Sequence, residues 1–290
     1  MNYPRVLQKV LCDPWCVRYE THAAIRRVLA SRLKETETTL QAIAAEYGSG
    51  FVSDGSFPKE GPYNTVRADR SKLYVRGNLA VIPVHGVIGS HLSLLETMCG
   101  GYDVQYLQSA VHEAHNRADI KKVLFDFNSP GGAVIGVPEA AMMVRNLSKA
   151  KQTYSFTSGE MCSAAYWIAS QTRRVYATAS AIVGSIGVYI ALLDETKAME
   201  LDGLKLELFK AGAHKGIGLP GNPLTDADRA ILQSMVDSIY ANFTKDIKTM
   251  RGGIDSNAMQ GQVFFGSEAK RLGLIDATVL SANDFAQTLS

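Results

Sequence analysis

Along most of the chain, short apolar runs alternate with amphipathic stretches. LAVIPVHGVI, KKVLFDF, QTYSFT, RRVYATAS, GSIGVYI and LKLELFK read as buried strands. Between them, DVQYLQSAVHEAHNRA opens with Asp103 as a helix cap, and VPEAAMMVRNLSKA carries Pro138 in its first turn, where a missing N–H costs little. This alternation predicts an α/β fold of stacked βαβ units around a mainly parallel sheet. In such sheets the chemistry sits at the carboxyl ends of the strands, in the loops entering the next helix.

Two further stretches have helical periodicity. Residues 225–251 place Ile231, Leu232, Met235, Val236, Ile239, Phe243 and Ile247 on one stripe behind Thr225 and Asp226. Residues 21–46 space Ile25, Val28, Leu29, Leu33, Leu40 and Ile43 as one or two helices, with Thr21 as a cap. The intervening YGSGFVSDGSFPKEGPYNT is rich in Gly, Ser and Pro and has no period, as a linker would. The expected organisation is an N-terminal helical arm (1–46), a linker (47–78) and a compact domain (79–290).

Composition narrows the function. Of 290 residues, 46% are hydrophobic and 20% charged, as in a soluble globular protein. Thirty Lys and Arg against 28 Asp and Glu leave a net charge of +2, too little for a broad nucleic-acid or anionic-lipid surface. The N-terminal stretch is broken by charges every few residues, so neither a signal-peptide core nor a membrane span is expected, and the expected location is the cytoplasm. Cys12, Cys16, Cys99 and Cys162 are too few for a disulfide framework. Cys12 and Cys16 could be half a metal site, but no Cys or His pair elsewhere has zinc-like spacing, so they read as free thiols in the N-terminal arm; no metal or organic cofactor is expected.

Three loops follow strands. In FDFNSPGGAV, two glycines let the backbone turn with its N–H groups uncovered, which suits either an ordinary turn or an oxyanion hole. In TYSFTSGEMCSAAYWIAS, a strand enters a small-residue turn and then a helix, with Ser163 at the helix start. A serine there is usually a cap, but its hydroxyl also lies near free helical N–H groups. In FKAGAHKGIGLP, Lys215 stands in a glycine-rich loop; it is either a solvated surface charge or, if buried, a neutral amine able to take a serine proton. None of the six histidines is an evident base, and EMCSAA lacks the G-x-S-x-G elbow, so a serine-histidine triad is unsupported. A cysteine peptidase using Cys162 lacks a histidine partner for the same reason.

Taken together, FNSPGG, SGEMCSAAYWIAS, VGSIGVYI, KAGAHKGIGLPGNPLTDADRAILQSMVDSIYANFTKDIKTMRG and GQVFFGSEAKRLGLIDA resemble, in order and spacing, the signal peptide peptidase A family of serine-lysine peptidases. The resemblance covers roughly residues 79–280. It implies a ClpP/crotonase-like fold, Ser163 as nucleophile, Lys215 as general base and Ser185 as the residue positioning the lysine. It also implies an oxyanion hole from the backbone N–H groups of Gly132 and Ala164. The family usually reads S-G-G-Y-Y-I-A after its nucleophile, whereas this chain has Ala164 and Ala165, which points to a shallow apolar substrate pocket.

The N-terminal arm looks more like the capsid-associated members of the family encoded by tailed bacteriophages and prophages, of the lambda type. That branch implies a polypeptide substrate among scaffold or capsid proteins, a homo-oligomeric ring and association with the procapsid. Two alternatives stay open: a cytosolic peptidase degrading signal peptides or proteins, and an inactive structural subunit of capsid assembly. The spacing of Ser163 and Lys215 does not say whether they meet within one chain or across subunits.

Overall fold

The computed structural model describes residues 15–17, 73–93, 96–97, 100–281, 285 and 288–289. The helices expected over 21–46, and most of the linker, lie outside the described residues. The centre is a sheet in the order β11-β10-β8-β6-β3-β2. It comprises β2 (Tyr74–Arg76), β3 (Leu79–His85), β6 (Lys122–Ser129), β8 (Gln152–Cys162), β10 (Ile182–Gly184) and β11 (Val263–Phe265), with β9 (Arg174–Ala177) and β12 (Ala277–Thr278) beside β8. The pairs β3/β6, β6/β8, β8/β9 and β8/β10 are parallel; β2/β3 and β10/β11 are antiparallel. The mainly parallel α/β architecture expected from the alternating pattern is the one observed.

Two central strands turn a corner into a second, four-stranded sheet in the order β1-β7-β4-β5. After β3 the chain pivots at Gly86 (φ 106°) into β4 (Val87–Gly89), and after β6 it pivots at Pro130 and Gly131 (φ 101°) into β7 (Gly131–Ala133). The left-handed backbone at both glycines is what a Cβ would penalise. β5 (Gly101–Asp103) pairs parallel with β4, and β1 (Trp15–Val17) pairs antiparallel with β7.

Helices cover one face of the large sheet. α1 (Val104–Asn116) is capped by the Asp103 carboxylate on the Gln105 N–H, and α2 (Val137–Ala150) has Pro138 in its first turn, both as expected. α3 (Ala164–Ala169) is entirely buried between β7, α2 and α5. α5 (Asp226–Met250) begins in a capping box between Thr225 and Asp228. The opposite face carries a smaller apolar cluster in which Phe156 stacks on Phe285 at 5.6 Å.

Two strand expectations fail. GSIGVYI does not form the strand: β10 ends at Gly184, and Ser185 turns away at φ 53° while its N–H reaches Gln262 O (2.6 Å). LKLELFK has no regular structure after the short α4 (Thr196–Leu201). Alternation makes a strand only beside a ladder partner and over a face to bury, and 204–210 finds neither among the described residues; Phe209 is 92% exposed. The α5 stripe is also only half core. Phe243 and Ile247 are buried and Ile239 packs against the core, whereas Ile231 and Met235 face outward.

Candidate active site

β8 is the strand that sets the site. Its first half pairs with β9 and its second half, Glu160–Cys162, with β10, so its carboxyl end lies between β6 and β10. The register with β6 slips between Phe127 and Ser129, and Asn128 fills the space over Gly159, where a Cβ would come within 2.5 Å of the Asn128 Oδ1. Ser163 follows at once.

Ser163 takes the N-cap position of α3 without acting as a cap. Its backbone is left-handed (φ 54°, ψ −118°), and its side chain makes no capping hydrogen bond. Such a conformation in a residue other than glycine is costly and persists only where the surroundings enforce it. They do: the Ser163 N–H donates to Gly184 O (2.7 Å), and its carbonyl accepts from the Trp167 N–H (2.8 Å). The residue is 1% exposed, and its Oγ has no hydrogen-bond partner among the described residues. An unsatisfied buried hydroxyl is destabilising by about 1–3 kcal/mol.

α3 is anchored from behind. Trp167 stacks on Phe243 of α5 at 4.5 Å and donates from its indole Nε1 to Asp246 (2.9 Å), which also pairs with Arg145 of α2 (3.0 Å). Tyr166 is fully buried and donates to Leu274 O (2.7 Å); burial pushes its phenol well above the ordinary range. Ala164 and Ala165 are sealed in the same packing at 0% exposure, so their side chains line no surface pocket, contrary to the expectation of a shallow pocket built on them. As the first residue of α3, Ala164 has an N–H with no acceptor inside the helix.

The glycine loop lies against this helix, since β7 packs on α3. Ser129 Oγ donates to Gly86 O (2.6 Å) and accepts from the Gly131 N–H (3.2 Å), tying the two corner-turning segments together. Gly132 lies so close to β4 that a Cβ would come within 1.9 Å of Ile88 O. Only glycine fits there. Ser185, 8% exposed, is joined to the Ser163 loop by the bond from the Ser163 N–H to Gly184 O.

Lys215 is placed differently. Its backbone N–H donates to Gly212 O (3.1 Å) in an exposed run of turns, and its side chain is exposed. With Ser163 Oγ unpartnered, the two are not hydrogen-bonded within one chain. The lysine loop is nonetheless held on both sides. The His214 Nδ1 pairs with Asp228 Oδ1 (2.9 Å), and Asn222 Nδ2 donates to Gly216 O (2.7 Å). Asp228 is held at about 2 by hydrogen bonds from Thr225 and then from His214. Sequence reasoning missed this clamp; its signal was the T-x-x-D capping box of Thr225 and Asp228 following so soon after a histidine. It also missed the part-buried pair of His85, the last residue of β3, with Asp126 of β6 (3.0 Å).

Residues 145–288 match the model of peptidase family S49, a span that includes Ser163, Ser185 and Lys215 and begins after Gly132. The chain is 31% identical over 177 residues to a putative protease of Methanocaldococcus jannaschii, covering 60% of this chain and 57% of that one. It is 29% identical over 214 residues to the capsid assembly protease C of Escherichia phage lambda, covering 72% and 48%. The chain thus spans about half the length of the curated relatives it matches. Among solved structures it is similar to an enoyl-CoA hydratase/isomerase family member, with TM-score 0.43, 14% identity and coverage of 75% and 72%. No helix among the described residues is long and apolar enough to cross a membrane.

Proposed function

We propose that this chain, which carries a peptidase family S49 domain over residues 145–288, is a serine endopeptidase in which Ser163 is the nucleophile and Lys215 the general base. The observation that carries the reading is Ser163 itself: a buried, unpartnered hydroxyl in a strained backbone at the start of a sealed helix. A cap would be hydrogen-bonded, and an incidental serine would not be strained.

In the proposed cycle, the neutral Lys215 amine takes the Ser163 proton as Oγ attacks a peptide carbonyl carbon. The oxyanion that forms accepts hydrogen bonds from the N–H groups of Gly132 and Ala164. Collapse breaks the C–N bond, and the Lys215 ammonium protonates the leaving amine. Water, deprotonated by the same lysine, then hydrolyses the acyl ester and restores Ser163. Ser185, beside the nucleophile loop, would orient the lysine.

The exposure of Lys215 supports completion of the site by a neighbouring subunit of a homo-oligomeric ring. Leu204, Phe209 and Leu219 in the surrounding segment are exposed, as a surface awaiting a second copy would be. A lysine buried at such a boundary loses hydration of its ammonium form, which favours the neutral base. The likeness to the lambda protein supports scaffold or capsid proteins as substrates and a place in the procapsid. In this organisation residues 79–290 form the body of the peptidase domain, to which β1 (Trp15–Val17) from the arm (1–46) and β2 (Tyr74–Arg76) from the linker (47–78) each add a strand.

The test is hydrolysis of casein and short apolar peptides by wild type, Ser163→Ala and Lys215→Ala across pH 6 to 10, with fluorophosphonate labelling of Ser163. Loss in both variants is expected. Cleavage by both at the wild-type rate would sink the assignment, and a chain that neither cleaves nor takes the fluorophosphonate label at Ser163 would favour a structural subunit.

A further inference from the structure

β7 has two backbone edges, and the chain itself occupies both. β4 lies on one side, with Ile88 opposite Gly132. On the other lies β1, antiparallel, with Trp15 opposite Ala133, Cys16 opposite Gly132 and Val17 opposite Gly131. The N-terminal strand is therefore registered on the glycine assigned to the oxyanion hole. It is the edge strand of the four-stranded sheet, where its ladder partner among the described residues is β7.

Taking the peptidase reading above as its basis, we propose that Trp15–Val17 is an intramolecular competitor for substrate: it occupies the β7 edge that an extended peptide must use, and the enzyme is held latent until this strand leaves. A peptide cleaved at Ser163 brings its scissile carbonyl to the Gly132 N–H. An extended backbone reaching that point alongside β7 needs ladder partners on the one edge that β4 does not hold. That edge is β1's. Substrate and β1 are mutually exclusive there, and displacement of β1 is a step of activation.

The strand is suited to leaving. It is three residues long, and Pro14, which precedes it in sequence, lacks the N–H that would extend the ladder. Net gains of about 1 kcal/mol per hydrogen bond make so short a ladder weak. Covalent linkage compensates, because a tethered strand competes at an effective concentration that can reach the order of mM, far above a dilute substrate. A scaffold-bound substrate held at high local concentration would shift that balance, as would cleavage within the N-terminal segment.

The experiment uses full-length chains carrying Cys16→Pro or Val17→Pro, with wild type and Ser163→Ala as references. Because the ladder alternates, proline at one of these adjacent positions removes an N–H that β7 receives. Hydrogen exchange at Gly131–Ala133 reads whether β1 is seated, and the rate of fluorophosphonate labelling at Ser163 reads access to the site. The expected result is faster exchange at these amides and labelling at least about tenfold faster in one proline variant, the factor for losing one or two such hydrogen bonds. A synthetic peptide of residues 12–20 is then expected to slow labelling of that variant again. Equal, Ser163-dependent labelling in wild type and both variants would overturn the inference and leave the peptidase reading standing. So would faster exchange without faster labelling, since β1 would then be only a brace. Absence of labelling in every chain would overturn both.

Discussion

Ser163 and Lys215 stand in opposite physical surroundings. The serine is 1% exposed, at the end of the central strand β8, its conformation fixed by Gly184, Trp167 and the packing of α3 on α5. The lysine is on an exposed loop held by the His214–Asp228 and Asn222–Gly216 bonds. One region is completed by its own core. The other presents apolar and basic groups to whatever lies outside. A nucleophile gains from rigidity, because a small displacement of a reacting atom is expensive in rate. Under the proposed assignment, a base carried on an exposed loop would permit control, the site being complete once a second body covers the loop.

The largest test of this contrast is functional. Ser163→Ala and Lys215→Ala are each expected to lower hydrolysis on the order of 10^4-fold or more, with thermal unfolding unchanged in Lys215→Ala and unchanged or raised in Ser163→Ala. If the two residues meet across subunits, equimolar mixing of the two inactive variants should restore about one quarter of wild-type activity by random pairing in a ring. No recovery in reassembled mixtures would place the dyad within one chain.

Gly132→Ala comes next. The added Cβ collides with Ile88 O, so β7 must shift, and a displaced oxyanion donor is expected to cost about 10^2 to 10^3 in kcat. A variant of full activity would remove Gly132 from the site. Trp167→Ala opens the packing behind Ser163 and leaves Asp246 without the indole N–H; a stability loss of about 3–5 kcal/mol is expected in urea unfolding. Phe209→Ser, on the exposed side, is expected to change the stability of the monomer by no more than about 0.5 kcal/mol while weakening assembly measured by sedimentation. Equal effects of the two on unfolding would erase the contrast.

The smallest effect concerns the clamp beside Lys215. Asp228 is held at about 2, below its ordinary value of 3.8, so its contribution to stability is complete above pH 4 and is lost as the pH falls toward 2. Asp228→Asn should therefore flatten the pH dependence of the urea midpoint within that window. An unchanged slope would show that the carboxylate is not held by Thr225 and His214.

How much of this was legible depended on range. Asp103, Pro138 and Thr225 were readable because a cap or a first turn is settled within three or four residues. The strands β3, β6 and β8 were readable because strands buried on both faces are apolar throughout. LKLELFK was misread because its alternation describes a strand without saying what it would pair with. Which part of the α5 stripe is core was not legible, because periodicity shows which face is apolar, not what covers it.

By itself, then, the sequence determined the α/β alternation, the helix starts and the small-residue turns into which Ser163, Gly132 and Lys215 fall, because these follow from local sterics and from the period of side chains. Tertiary structure alone decided that Ser163 is strained and unpartnered rather than a cap, that Gly132 has no room for a Cβ, that Lys215 stays outside, and that β1 lies on β7. Each of these depends on groups far apart in sequence meeting at van der Waals or hydrogen-bond distance. Loop closure and packing, not local preference, set such meetings.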